Sequence, residues 1–393
     1  MISIKDAIQL VKSNCNPLLK EVIKPLEKSG NYRLYKDVYS PIDMPPFRQS
    51  AMDGYALNLH NSTNYKLIGE IKAGDDASPI LKIGEAIRIF TGSPVPDSAN
   101  TVIMQEKVIA NNATISLEKS AVSINQNIRP KGEQVTKGDL ALKKGTKLTP
   151  AAIGYLTGLG ITEVSVYKKP SIAIVTTGNE LVEAGQSLQY GKIYESNSKM
   201  LQNALYNLKF YDLTIHKIKD DYDETQSTLN KLINTKDLVL ISGGISVGDY
   251  DFVGKALQQL NVEQCFYKVM QKPGKPLYFG KKDSTTIFAL PGNPAAALTC
   301  FYIYVHIALQ KMMNNTTVEL PKTEAKSNST FNKTGNRPQF LKAIYKDGMA
   351  TILEGQSSAM LQTFALSNAL VFMPEDVNQI NLNDTLEVIL LPV

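Results

Sequence analysis

Ser242-Gly243-Gly244-Ile245-Ser246-Val247-Gly248-Asp249-Tyr250-Asp251 is the stretch whose reading decides the fold. It follows the run Asp237–Ile241, apolar after its first residue, which reads as a buried parallel strand. It precedes Phe252–Leu257, which reads as the first turns of a helix. A Gly-rich strand-to-helix turn presents backbone N–H groups at the positive end of a helix dipole, so it suits phosphate or another oxyanion. Asp249 and Asp251 would repel such an anion unless a hard cation sits between them. The combination points to a phosphorylated ligand bound with a divalent metal, although a tight connection also uses glycine for steric reasons alone.

Working outward, strands and helices alternate from Pro170 to about Met313. Strands are expected at Ser171–Thr177, Tyr211–Lys217, Leu238–Ser242 and Glu263–Met270, and helices at Lys199–Leu208, Tyr222–Ile233 and Phe252–Leu260. That order predicts a mostly parallel sheet covered by helices on both faces. In such a sheet the loops after the strands gather at one edge, where ligands bind. Two further turns belong to that edge. Lys272-Pro273-Gly274-Lys275-Pro276 would bring two mobile cations, with the prolines limiting backbone movement. Leu290-Pro291-Gly292-Asn293-Pro294 follows the strand Thr285–Ala289. Glu180, just after the first strand, should share the edge with Asp251. Asp220 and Asp221 read equally well as functional acids or as an N-cap for the helix from Tyr222.

The flanks read differently. Residues 2–29 carry apolar positions at helical spacing interrupted by Pro17, and 65–141 shows short alternating strands such as Leu67–Ile71 and Ala86–Phe90. Thr149–Gly158 has a cap, a Pro at the first helical position and a terminal Gly, so it predicts a short helix. Residues 314–330 are polar and read as a link to a final region of short strands resembling a small barrel. The expected organisation is a helical segment 1–26 packing with the central domain, and a connecting domain of 27–45 with 146–169. Between these lies an inserted β-rich domain, 46–145; an α/β domain, 170–318, and a β domain, 319–393, follow.

Composition narrows the function classes. A chain of 393 residues predicts two to four domains. The net charge of +5 comes from scattered lysines without a basic stripe or reader motif, which argues against nucleic acid and suits small anions. The longest apolar run, Ala295–Leu309, is too short to span a membrane, and the N-terminus lacks a signal peptide's apolar core. Cys15, Cys265 and Cys300 are too few and scattered for a disulfide framework or thiolate metal site, and the three histidines read as ordinary residues. The expectation is a cytoplasmic protein.

Six runs carry a resemblance: Thr176–Leu181, Ser242–Asp249, Lys272–Pro276, Leu290–Ala295, Pro46–Ala56 and Phe90–Pro96. Together they resemble the molybdopterin molybdenumtransferase family, whose animal relative is the E domain of gephyrin. The first four recur in molybdopterin adenylyltransferases and competence-damage-type proteins; Ala51-Met52-Asp53-Gly54-Tyr55 singles out the molybdenum-inserting branch. Taken bare, Asp53-Gly54 is a turn.

The resemblance implies molybdenum cofactor biosynthesis. Molybdate enters the dithiolene of adenylylated molybdopterin, a phosphoanhydride is cleaved and AMP leaves. It implies catalytic roles for Asp53, Thr91, Glu180, Asp251, Lys272 and Lys275. Substrate contacts would come from Asp220, Gly243, Gly244, Ser246, Gly248, Asp249, Pro291, Gly292, Asn293 and Pro294. Glu180, Asp220 and Asp251 would hold Mg2+, which their hard oxygens suit better than zinc. Asp53 and Thr91 would reach the active site of a second subunit, so a homodimer with a composite site is expected. Contacts with the molybdopterin adenylyltransferase and with molybdoenzyme maturation proteins are further expectations. The other readings are an adenylyltransferase-like enzyme and a non-catalytic paralogue or scaffold. Gln134 stands where the family often has an acid, and an amide compensates no cation; Asn179 stands where Asp is common.

Overall fold

Alternation of buried apolar residues on two faces builds the central sheet. The computed structural model describes residues 1–76, 78–117, 122–245 and 252–393, so Ser246, Gly248, Asp249 and Asp251 lie outside the described residues. Met1–Lys20 with Tyr167–Val393 make one compact unit, and Glu21–Val166 make another.

In the first unit, helix α1 (Ile4–Asn14) is followed by strand β1 (Ile172–Thr177), helix α2 (Asn197–Asn207), β2 (Leu213–Ile218), α3 (Tyr222–Ile233), β3 (Leu238–Ser242) and α4 (Phe252–Gln259). Strands β4 (Glu263–Tyr267), β5 (Tyr278–Lys282) and β6 (Thr285–Leu290) complete one sheet of order β2-β1-β3-β6-β5-β4. The first four in that order run parallel, and β5 and β4 are antiparallel additions. Every residue of β1 and β3 is buried, as a sheet covered on both faces requires. Ile172, Ile174, Leu238, Leu240 and Phe288 face α1 and the buried helical run 294–312, whereas Ala173, Val175, Val239, Ile241 and Ile287 face the side of α3 and α4. Because β2 lies on one side of β1 and β3 on the other, the order reverses between β1 and β3. Their carboxyl ends flank the crevice where open α/β sheets bind ligands.

The C-terminal strands Lys322–Ser327, Gln339–Lys346, Met349–Ile352, Ala369–Met373 and Thr385–Leu390 close into a five-stranded barrel, which removes free edges. The expected parallel sheet and small barrel are therefore both present. In the second unit, strands at 54–57, 64–71, 85–89, 101–104, 108–110 and 114–117 form one mixed six-stranded sheet. The predicted short helix spans Pro150–Gly158, and the Thr149 hydroxyl caps it by accepting from the Ala152 N–H.

Two expectations are corrected. The helical spacing read through Leu26 does not continue beyond Asn14: Glu21–Pro25 is a strand whose residues alternate in exposure. Pro17 cannot donate an amide hydrogen within a helix, and the β-branched pair Val22-Ile23 suits a strand. The polar segment read as a link contains barrel strand Lys322–Ser327. That strand buries only Ala325 and Ser327, so a barrel strand that turns most of its side chains to solvent looks like a linker in composition.

At the edge opposite the crevice, Asp237 accepts hydrogen bonds from the Ser171 N–H at 2.8 Å and the Ser171 hydroxyl at 2.7 Å, joining the starts of β1 and β3. Burial pushes its carboxyl up, but the Ser171 donors, Lys168 and Lys20 together hold it below the ordinary Asp range. A lowered folded-state pKa contributes stability above the unfolded value, about 4, that is lost as pH falls through the folded value. Asp237→Ala is expected to cost this unit about 1–3 kcal/mol at neutral pH. Urea unfolding should show the difference from wild type shrinking as the pH falls below about 4.

Candidate functional site

Glycine brings the crevice turns into contact. Gly243 follows β3 with φ +97°, and a Cβ there would stand 2.5 Å from the Thr177 carbonyl oxygen at the end of β1. Gly244, at φ +63°, packs against Val253 of α4 and the Thr177 methyl. A Cβ on Gly292 would sit 3.9 Å from the Gly243 Cα. The turns after β1, β3 and β6 therefore meet at their backbones.

Asp220 and Asp221 have separate roles. Asp221 caps α3, its carboxylate accepting from the Glu224 N–H. Asp220 turns instead toward β1, accepting from the Thr177 hydroxyl at 2.6 Å and the Asn179 N–H at 2.9 Å. Asn179 returns the contact, its Oδ1 accepting from the Asp220 N–H at 3.3 Å. A side-chain amide thus serves where aspartate was noted as common. Glu180 is exposed beside this pair, and its carboxylate lies over Gly178, where a Cβ would come within 2.6 Å of Oε2. The expected ligands Glu180 and Asp220 stand on adjoining loops, and both offer only hard oxygen, which fits Mg2+ chemically. Among the described residues no group of three His, Cys, Asp or Glu could hold a metal; Asp251 lies outside them.

The lysine loop is held from beneath. Gln271 is fully buried and donates through Nε2 to the carbonyls of Pro273 at 3.0 Å and Gly274 at 3.1 Å. Its own carbonyl accepts from Arg337 at 2.8 Å. The Lys272 ammonium is half-buried and donates to the Thr334 hydroxyl at 3.3 Å, whereas Lys275 is exposed. Asn293 donates to the Ser358 hydroxyl at 2.9 Å, Pro294 opens the next helix and Pro291 is buried.

Sequence reading missed Asn197, the first residue of α2. Its amide nitrogen donates to the Ser242 hydroxyl at 2.8 Å and to the Gly292 carbonyl at 2.7 Å, tying the second and third turns together. Its Oδ1 is buried with no hydrogen-bond partner among the described residues. Within Glu195-Ser196-Asn197-Ser198 no chemistry marks it, because both partners are distant in sequence.

Within the second unit the structure brings Asp53 and Thr91 together. Asp53 Oδ1 accepts from the Thr91 N–H at 2.7 Å and from its hydroxyl at 2.8 Å. Those two bonds, with Arg88 nearby, hold the exposed Asp53 carboxyl below the ordinary Asp range, so it is ionised at neutral pH.

Comparison with known proteins settles which family carries these turns. Three family descriptions match in succession: the "MoeA N-terminal region (domain I and II)" over 2–160, a "Probable molybdopterin binding domain" over 173–311 and the "MoeA C-terminal region (domain IV)" over 324–391. A molybdopterin molybdenumtransferase of Haemophilus influenzae is 32% identical, the match covering 92% of each chain. The Staphylococcus aureus (strain MSSA476) protein of the same name is also 32% identical, covering 99% of this chain and 95% of its own. The chain belongs to the molybdopterin molybdenumtransferase family. A molybdopterin biosynthesis MoeA protein from Pyrococcus horikoshii superposes with a TM-score of 0.82 at 30% identity, covering 99% of this chain and all of its own. Asp53 and Thr91 lie in the matched N-terminal region, and Glu180, Asp220, Lys272, Lys275 and Asn293 in the molybdopterin-binding region.

The contact at Gly243 is open to a direct test. Gly243→Ala should cost about 1–3 kcal/mol through strained backbone and the Thr177 carbonyl. Gly185→Ala, also at positive φ but with nothing within 4 Å of the added Cβ, should cost less in the same chemical denaturation experiment.

Proposed function

We propose that this chain inserts molybdenum from molybdate into adenylylated molybdopterin and releases AMP. Its place as a transferase of molybdenum cofactor biosynthesis follows from family membership over nearly the whole length. The observation that carries the finer reading is the meeting of three turns at one sheet edge, with carboxylates at one side and a lysine-bearing loop in the same unit.

In this reading the turns at 243–244 and 291–294 seat the phosphate and pterin portions of the substrate. Ser246, Gly248 and Asp249 complete that seat. Lys272 and Lys275 attract molybdate and the phosphoanhydride, both oxyanions, and stabilise charge that develops on phosphoryl oxygen as the anhydride breaks. Glu180 and Asp220, with Asp251, would hold Mg2+, which supplies charge neutralisation at the phosphates when bound. Asp220 is kept in place for this by Thr177 and Asn179.

Asp53 and Thr91 act as a unit. The ionised Asp53 has one oxygen committed to Thr91 and the other without a hydrogen bond among the described residues, which suits holding a proton-bearing group of the substrate or its attacking water. We propose that they serve the active site of a second copy of the chain, making the enzyme a homodimer. The same reading brings the chain to the molybdopterin adenylyltransferase that supplies its substrate and to molybdoenzyme maturation proteins that take its product, in the cytoplasm. Among the described residues no helix is long and apolar enough to cross a membrane. An adenylyltransferase-like activity or a scaffold role is not favoured, since the relatives that match end to end are named molybdenumtransferases.

Purified protein mixed with adenylylated molybdopterin and magnesium should release AMP only when micromolar molybdate is added. Asp53→Ala should lower that release by about 100-fold or more, and Lys272→Ala or Lys275→Ala by about 100- to 1000-fold. Tight substrate binding without molybdate-dependent release would contradict the proposal.

A further inference from the structure

A buried lysine on the outer face of a barrel strand has no acid to pair with among the described residues. Lys342, on strand Gln339–Lys346, is 2% exposed and makes no ion pair among the described residues. Its ammonium donates to three backbone carbonyls, Gly355 at 2.8 Å, Ser357 at 3.1 Å and Met360 at 3.1 Å. All three of its N–H groups are therefore spent on one short loop. Desolvation pushes this ammonium down to about 8, the mark of a cation kept buried at a cost. A well-packed apolar side chain usually serves a buried position at least as well, so packing alone gives no reason for it.

The loop it holds leads to the site. Gln356 fixes the same loop from its other side, its amide oxygen accepting from the Lys342 N–H and its nitrogen donating to the Lys342 carbonyl, both at 2.9 Å. Between the gripped carbonyls stands Ser358. Its carbonyl accepts from the N–H groups of Ala295 at 3.1 Å and Ala296 at 3.3 Å, and its hydroxyl accepts from Asn293. The contacts run without a gap from the Lys342 ammonium through residues 355–360 to the turn 291–294.

We propose that Lys342 is a positioning residue for the sheet-edge site: it clamps the 355–360 loop so that Ser358 holds the Pro291–Pro294 turn in its substrate-binding shape. The inference rests on the reading of that turn as part of the molybdopterin-binding site. A fixed cation suits the task because three carbonyls converging on one point need a group with three donors. Methionine in its place would fill the space and leave those carbonyls to seek water, releasing the loop.

The test uses the full-length enzyme and Lys342→Met, with Lys342→Arg as the variant that keeps donors and charge. Hydrogen exchange is read at the amides of Ala295 and Ala296, alongside kcat and KM for adenylylated molybdopterin in molybdate-dependent AMP release. In a folded Lys342→Met, both amides should exchange about 10-fold faster or more. KM should rise about 10-fold while kcat changes much less, and Lys342→Arg should recover both readouts. Unchanged exchange, or faster exchange with unchanged KM, overturns the inference. If Lys342→Met does not fold, Lys342→Gln is read in the same two ways. Failure of the wild-type enzyme to release AMP would overturn the functional reading instead, whereas the exchange rates still decide whether Lys342 holds the loop.

Discussion

No side chain fits between the Thr177 carbonyl and the Cα of Gly243. The ends of β1 and β3 are drawn so close that a single methyl would stand 2.5 Å from a backbone oxygen. Everything else at the crevice depends on this approach. It brings the Gly292 backbone alongside, lets one amide of Asn197 reach both Ser242 and Gly292, and leaves Asp220 within reach of Thr177 and Asn179. The sheet supplies the rigidity, since β1 and β3 are buried along their whole length. A site built on strand ends keeps its geometry better than one built on loops alone.

The barrel extends that rigidity to the exposed side of the turns. It meets the lysine loop directly, with the Lys272 N–H donating to the Pro338 carbonyl and the Phe340 N–H to the Lys272 carbonyl. It meets the turn 291–294 through Ser358. Buried polar groups are costly unless fully partnered. Gln271 and Lys342 are both almost inaccessible, and both spend their donors on backbone carbonyls of segments next to the site.

Much of this was legible in the sequence where the chain must do something only glycine or proline allows. The runs at 242–244, 272–276 and 290–294 stand out for that reason, and the alternation of apolar strands with amphipathic helices foretold a mostly parallel sheet. The strand assignment Leu238–Ser242 and the helix Tyr222–Ile233 agree with the structure to the residue. Asn197, Gln271 and Lys342 were not legible. Each is an ordinary residue type in an ordinary context, and Asn197 finds its partners 45 and 95 positions away. The N-terminal strand was hidden for another reason: Leu18, Leu19, Val22, Ile23 and Leu26 satisfy a helical period by chance, and only pairing with Glu163–Tyr167 makes a strand of part of that run. Asp220 and Asp221 could not be told apart until the direction of each carboxylate was known.

In the proposed reading, the turns after β1, β3 and β6 form a single binding surface for adenylylated molybdopterin. Amide hydrogen exchange with and without that ligand tests it most directly. Residues 178–180, 243–245 and 292–293 should gain protection together on binding, and Asn197→Ala should weaken the gain at both 243–245 and 292–293. Protection confined to one of these turns, or centred elsewhere on the chain, would contradict it.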